Sequence, residues 1–183
     1  MKIIKAARHE GINPGGDCGP CCLSGITGIP VREIYDKYFN GRIDGTCYTD
    51  MLAACWKLYA QGKIKHIDTE LPPNNKRPDH EYMIFGNPSW ENFIQWTEHV
   101  KQKTTHAVGI AQVHMTGDAM GDRKHQWYHN HWLLITGAEM GESAAGKVVH
   151  VSCPTLGEYT KQSLEFLMNY GGYNPIWIYP NTD

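Results

Sequence analysis

The side chains best equipped for covalent chemistry are six cysteines and ten histidines, and they are unevenly spread. Cys18, Cys21 and Cys22 crowd the segment Asp17-Cys18-Gly19-Pro20-Cys21-Cys22-Leu23, whereas Cys47, Cys55 and Cys153 are scattered. His106, His114, His125, His129 and His131 fall in one short stretch of the second half. A thiol near the front and an imidazole further on are the partners of nucleophilic acyl transfer, in which sulfur attacks a carbonyl while the ring takes and returns a proton. Asp17 is a good N-cap and Pro20 suits a first turn, so a helix is predicted from Cys18. That helix puts Cys18 at the positive end of the helix dipole, where a thiolate is stabilised. The small Gly19 beside it leaves room for a substrate carbonyl. Cys21 lies almost one turn on and Cys22 one turn above, both further from the dipole end. His131 is the expected base because it opens the apolar run Trp132-Leu133-Leu134-Ile135, and the start of a strand lies at a sheet edge facing a cleft.

Two other chemistries compete for these residues. Cys18-Gly19-Pro20-Cys21 spells a thioredoxin-type dithiol, but that motif follows a buried strand inside a βαβ unit. Asn13-Pro14-Gly15-Gly16-Asp17 cannot be a central strand. His114, Asp118, Asp122, His125, His129 and His131 carry enough donors for zinc or copper. They lie on a stretch broken by Gly117 and Gly121, without a His-Glu-x-x-His or paired Cys-x-x-Cys pattern, so no metal ligand is assigned. His150 is expected to be a half-buried strand residue.

The elements that must position the pair follow from periodicity and breakers. After the Cys18 helix, which stops by Gly28, a second starts at Pro30 with Val31, Ile34, Tyr35 and Tyr38 inward and ends at Asn40-Gly41. Thr49 is expected to cap a third, with Met51, Leu52, Cys55, Trp56 and Tyr59 inside and Gly62 as its stop. Residues 63–67 suit a short strand, 71–88 a long polar loop, and 89–100 a helix. Strands are predicted over 107–113, 131–136, 147–151 and 175–179, with a short helix over 163–170. A helical front followed by a largely antiparallel sheet is an α+β layout, and nothing marks a linker, so residues 1–183 are expected to form a single domain.

Composition narrows the function classes. Forty-one per cent hydrophobic and 20% charged residues are ordinary for a globular protein, and Lys+Arg 17 against Asp+Glu 19 gives a formal charge of -2. A nucleic-acid binder would carry a basic stripe, and none is present. No apolar run reaches the length of a membrane span, and residues 1–16 lack the apolar stretch of a signal peptide. A cytoplasmic, reducing environment is therefore expected, with the cysteines as thiols and not disulfides.

These segments resemble the papain-like cysteine peptidases, most closely the bacteriocin-processing, double-glycine leader peptidases and their stand-alone relatives. The pieces are Asp17 to Leu23, Gly45-Thr46 to Leu58, His131-Trp132-Leu133-Leu134-Ile135-Thr136-Gly137, Val149-His150-Val151-Ser152-Cys153-Pro154 and Leu164-Glu165-Phe166. They run in the family's order between Asp17 and Ile178, while the loops at 68–88 and 115–130 match nothing. The resemblance implies a papain-like fold, Cys18 as nucleophile and His131 as general base. It implies no cofactor and a peptide or protein substrate cut at a peptide, isopeptide or side-chain amide bond. Two departures stand out. The family's glutamine six residues before the cysteine is Ile12 here, with Asn13 one place nearer as a substitute oxyanion donor. The Asp or Asn that orients the histidine is Cys153, and a thiol is a poor acceptor, which leaves Ser152, a backbone carbonyl or water to hold the ring. These departures keep a catalytically impaired binding module as the alternative. The loop at 115–130, through Met115, Met120, Trp127 and Tyr128, is expected to cover the cleft.

Overall fold

The computed structural model describes residues 4–12, 16–41, 46–69, 90–115, 128–170 and 175–181. Three helices come first: α1 (Cys18–Thr27), α2 (Val31–Tyr38) and α3 (Tyr48–Ala60). Then follow β1 (Ile64–Thr69), α4 (Trp90–Lys103), β2 (Val108–Met115), β3 (Tyr128–Met140), β4 (Lys147–Cys153), β5 (Gly157–Gln162), α5 (Ser163–Tyr170) and β6 (Ile176–Pro180). The six strands form one sheet in the order β1-β6-β2-β3-β4-β5, with every pairing antiparallel. The architecture is α+β.

Local sequence explains most of these elements. In α2 the inward face is Val31, Ile34, Tyr35 and Tyr38, and the outer face carries the i,i+4 pairs Arg32–Asp36 and Glu33–Lys37. The N-cap of α3 is Cys47, not Thr49, and the helix already includes Tyr48. Tyr48 stacks on Trp132 with ring centroids 6.2 Å apart, and the Cys47 thiol donates to Asp50 Oδ2 at 3.1 Å, which together draw the helix start forward. Trp56 and Tyr59, expected inside, are 49% and 42% exposed and pack edge to face on each other. The strand around His131 is longer than 131–136, so His131 is the fourth residue of β3 and does not open it. β5 has no counterpart in the sequence reading. It is an edge strand whose residues alternate between half-buried and exposed, and such a polar run reads as loop.

The core divides over the two faces of the sheet. One cluster joins Cys18, Cys22 and Leu23 of α1, Ile34 of α2 and Met51, Cys55 and Leu58 of α3 to Ile110, Trp132, Leu134 and Ile178. The other joins Phe93, Trp96 and Val100 of α4 and Phe166 of α5 to Ala111, Leu133, Ile135, Val151, Cys153 and Trp177. β3 lies inside the sheet with both faces covered, which is why Trp132 to Ile135 is an unbroken apolar run. Each such fully buried side chain contributes roughly 1.5–3 kcal/mol.

The segment before α1 is a strap laid across the helix and the β4–β5 turn. The Ala7 amide donates to Cys21 O at 3.0 Å, the Ala6 amide to Ser152 Oγ at 3.0 Å, and Lys5 pairs with Glu158 at 2.7 Å. Arg8 donates to Thr155 O at 2.8 Å. The strap lies so close to α1 that a Cβ on Gly25 would come within 2.0 Å of Lys5 O, so only glycine fits there.

Candidate active site

Cys18 is the first residue of α1 and is 7% exposed. Burial pushes its thiol up from 9.0 to about 11. The backbone amides of Trp132 and Gly19 favour the thiolate, while Asp17 and Cys153 add to the upward shift. The helix-dipole expectation is thereby corrected: desolvation outweighs the helix terminus, and the thiol is held protonated. The side of Gly19 that a Cβ would occupy is filled by its neighbours. A Cβ there would meet Met51 Cε at 2.8 Å and Thr46 Oγ1 at 3.0 Å, so α3 packing fills that volume. Trp132 anchors the neighbouring strand, since its indole N–H donates to Thr46 O at 2.7 Å.

His131 is 6% exposed, and its Nε2 meets Cys153 Sγ at 3.1 Å. Burial, with a smaller contribution from His9, lowers the ring from 6.5 to about 4 and keeps it neutral. Cys153 is itself raised by burial, against the amides of Leu156 and Thr155, the Thr155 hydroxyl and Arg8, which lower it. The Leu156 amide donates to its sulfur at 3.3 Å. Thus the side chain in contact with the ring is Cys153, the residue expected to be too poor an acceptor. Ser152 is turned away to accept the Ala6 amide.

Cys18 and His131 reach this site from different sides. Strand alternation puts His131 with Leu133 and Ile135 of the second cluster, and Cys18 packs in the first. Trp132, the residue after His131, packs with Cys18 in that first cluster. Among the described residues no hydrogen bond joins Cys18 to a histidine ring, and none engages His131 Nδ1.

Asn13 and Trp127 lie outside the described residues, as do most of the proposed lid (116–127) with Met120, His125, Asp118 and Asp122; Tyr128 is the first residue of β3. His150 is a half-buried residue of β4, as expected, with its Nε2 2.9 Å from Glu139 Oε1. All six cysteines are free thiols. Residues the sequence did not single out stand beside the site. His9 Nδ1 bonds Asp17 Oδ1, and His9 Nε2 lies 2.8 Å from Thr155 Oγ1. Arg8 and His9 sit on a strap without periodicity, so no pattern could mark them. Among the described residues no helix is long and apolar enough to cross a membrane. The chain matches no protein-family model and no curated protein.

Proposed function

We propose that the chain is a papain-like thiol hydrolase acting on a peptide, isopeptide or side-chain amide bond. Cys18 is the nucleophile, His131 the general base, and Cys153 the side chain that holds the ring. The observation that carries this reading is a chain of contacts. Cys18 packs in one cluster with Trp132, the residue directly after His131, and His131 Nε2 meets Cys153 at 3.1 Å. With Nε2 so engaged, Nδ1 is the atom left to serve Cys18.

Because both groups rest neutral, the reaction starts from thiol and imidazole and not from an ion pair. Sulfur attacks the carbonyl as its proton passes to His131 Nδ1, and the oxygen takes up the negative charge. The imidazolium then gives that proton to the leaving nitrogen, leaving an acyl-thioester on Cys18. Water, deprotonated by the same nitrogen, hydrolyses the thioester and restores the thiol. No cofactor enters these steps.

A second reading, a binding module that keeps this fold without turnover, is favoured by the raised Cys18 and lowered His131, which both oppose proton transfer. The dithiol reading has less support. Among the described residues no strand leads into α1 and no strand pair is parallel, so the βαβ setting is missing.

The small ester p-nitrophenyl acetate separates these readings. A hydrolase releases p-nitrophenol and carries an acetyl group on Cys18 by mass spectrometry, and His131→Ala abolishes both. Acetylation confined to the exposed Cys47, or release indifferent to His131→Ala, would leave the binding module. An adduct chiefly on Cys21 would favour the dithiol.

A further inference from the structure

We propose that His9, Asp17 and Cys21 form a binding site for one divalent ion of the zinc class, between the N-terminal strap and the first turn of α1. One donor atom from each of the three residues lies within 4.8 Å of the others. Donors around a tetrahedral zinc, at bond lengths of about 2.0–2.3 Å, stand roughly 3.3–3.8 Å apart, so one ion can reach all three with small adjustments. Thiolate, imidazole and carboxylate together suit zinc or cobalt far better than calcium or magnesium.

A second observation points to a missing ligand. Asp17 is 1% exposed, and its Oδ2 has no hydrogen-bond partner among the described residues. It occupies the N-cap position, where aspartate ordinarily bonds a helix amide, yet it makes no cap hydrogen bond. A buried, unpartnered carboxylate oxygen is costly unless something charged or protic reaches it. A cation between Asp17, His9 and Cys21 supplies that partner.

The surroundings are arranged as the outer layer of a metal site is. Thr155 Oγ1 holds His9 Nε2 at 2.8 Å and turns Nδ1 towards Asp17, the ring orientation a metal-bound histidine needs. The Cys21 thiol donates to Arg8 O at 3.5 Å, and the Ala7 amide fixes the carbonyl of Cys21. Asp17 and Cys21 are buried, but the His9 side chain is 34% exposed, giving an ion its entry and a water its place as fourth ligand. Binding replaces the His9–Asp17 hydrogen bond with bonds to the metal and leaves the ring proton on Nε2, facing Thr155. The Cys21 thiol proton is released to solvent, so affinity rises with pH. This site is independent of acyl chemistry at Cys18.

The test is titration of the full chain with Zn²⁺ against a chromophoric chelator, and with Co²⁺ followed by absorption. One ion per chain is expected, with a thiolate-to-cobalt charge-transfer band and the visible bands of tetrahedral cobalt. His9→Gln, at a partly exposed position that tolerates the change, weakens binding by more than about tenfold. Cys21→Ser removes the charge-transfer band, while Cys18→Ala and Cys47→Ser keep the band and the affinity. Absence of saturable binding overturns the site, as does binding that survives both His9→Gln and Cys21→Ser. A band that follows Cys18 or Cys47 overturns it equally. Loss of esterase activity in Cys18→Ala with zinc binding intact separates this site from the proposed hydrolase.

Discussion

The first turn of α1 presents two unlike neighbourhoods. Towards β3 it offers Cys18, and with His131 and Cys153 this makes a buried set of neutral, soft groups whose titrations are all shifted away from charge. Towards the strap it offers Cys21 and the N-cap Asp17, and with His9 this makes a set containing a buried carboxyl group and a partly exposed ring. The contrast shows how little the helix terminus decides by itself. Both cysteines belong to the same turn, and both thiols are raised, with burial the first cause in each. What distinguishes them is the set of facing partners: Trp132 of β3 and Met51 of α3 for Cys18, a carboxyl group and a partly exposed histidine for Cys21.

The most drastic way to break the contrast is to delete one side. Cys18→Ala and His131→Ala should each lower p-nitrophenyl acetate turnover by about 10³-fold or more, since the proposed nucleophile and base act as a unit. The same variants should leave zinc titration unchanged. The next effect is on stability. His131 takes its proton near 6.5 when unfolded but only near 4 when folded. Between those values the unfolded chain binds the extra proton, so stability is full above pH 6.5 and falls as pH drops towards 4. The loss is about 3 kcal/mol. Urea unfolding at pH 7 and pH 4 measures it, and His131→Gln should remove that component of the acid limb.

The sequence made one side of this contrast legible and hid the other. Cys18 and His131 lie in segments with strong local signals, an N-cap with a first-turn proline and an apolar strand; α1 starts at Cys18 as those signals put it, whereas β3 starts three residues before His131. Cys153 was singled out only through the resemblance to papain-like peptidases, as the residue before Pro154. The direction of the Cys18 shift was not visible, since burial by α3 and β3 is a tertiary fact and a helix terminus is a local one. Trp56 and Tyr59 failed for a related reason: their spacing fits the inner face of α3, yet the sheet covers only the Met51, Cys55 and Leu58 side. His9 and Thr155 are brought together by a strap and a turn 146 residues apart, and no periodicity marks either.

Cys153→Asp sharpens the comparison by giving the Cys18 side a carboxylate of its own. The donors such a group needs are already in place, because the Leu156 amide, the Thr155 hydroxyl and Arg8 all favour negative charge at this position. A carboxylate on Nε2 stabilises the imidazolium, so the His131 pKa should rise from about 4 towards its ordinary range, as nuclear magnetic resonance of the ring would show. Turnover of the ester at pH 7 should increase about tenfold. If the ring pKa rises and the rate stays flat, His131 is not the base.

The smallest effect belongs to Thr155→Val, which cuts a side chain that acts on both neighbourhoods. The Thr155 hydroxyl lies 2.8 Å from His9 Nε2 and also favours the charged form of Cys153. His9 is partly exposed, so water replaces the lost partner and the cost in stability should be about 0.5–1 kcal/mol. Leu156 and the Thr155 amide remain on Cys153, so its contact with His131 persists and ester turnover should change by less than about twofold. Zinc affinity should fall more than turnover, because the ring that presents Nδ1 loses its orienting bond. Equal losses in both readouts would mean that the strap and β3 respond as one unit, and the division of the first turn into two neighbourhoods would have to be abandoned.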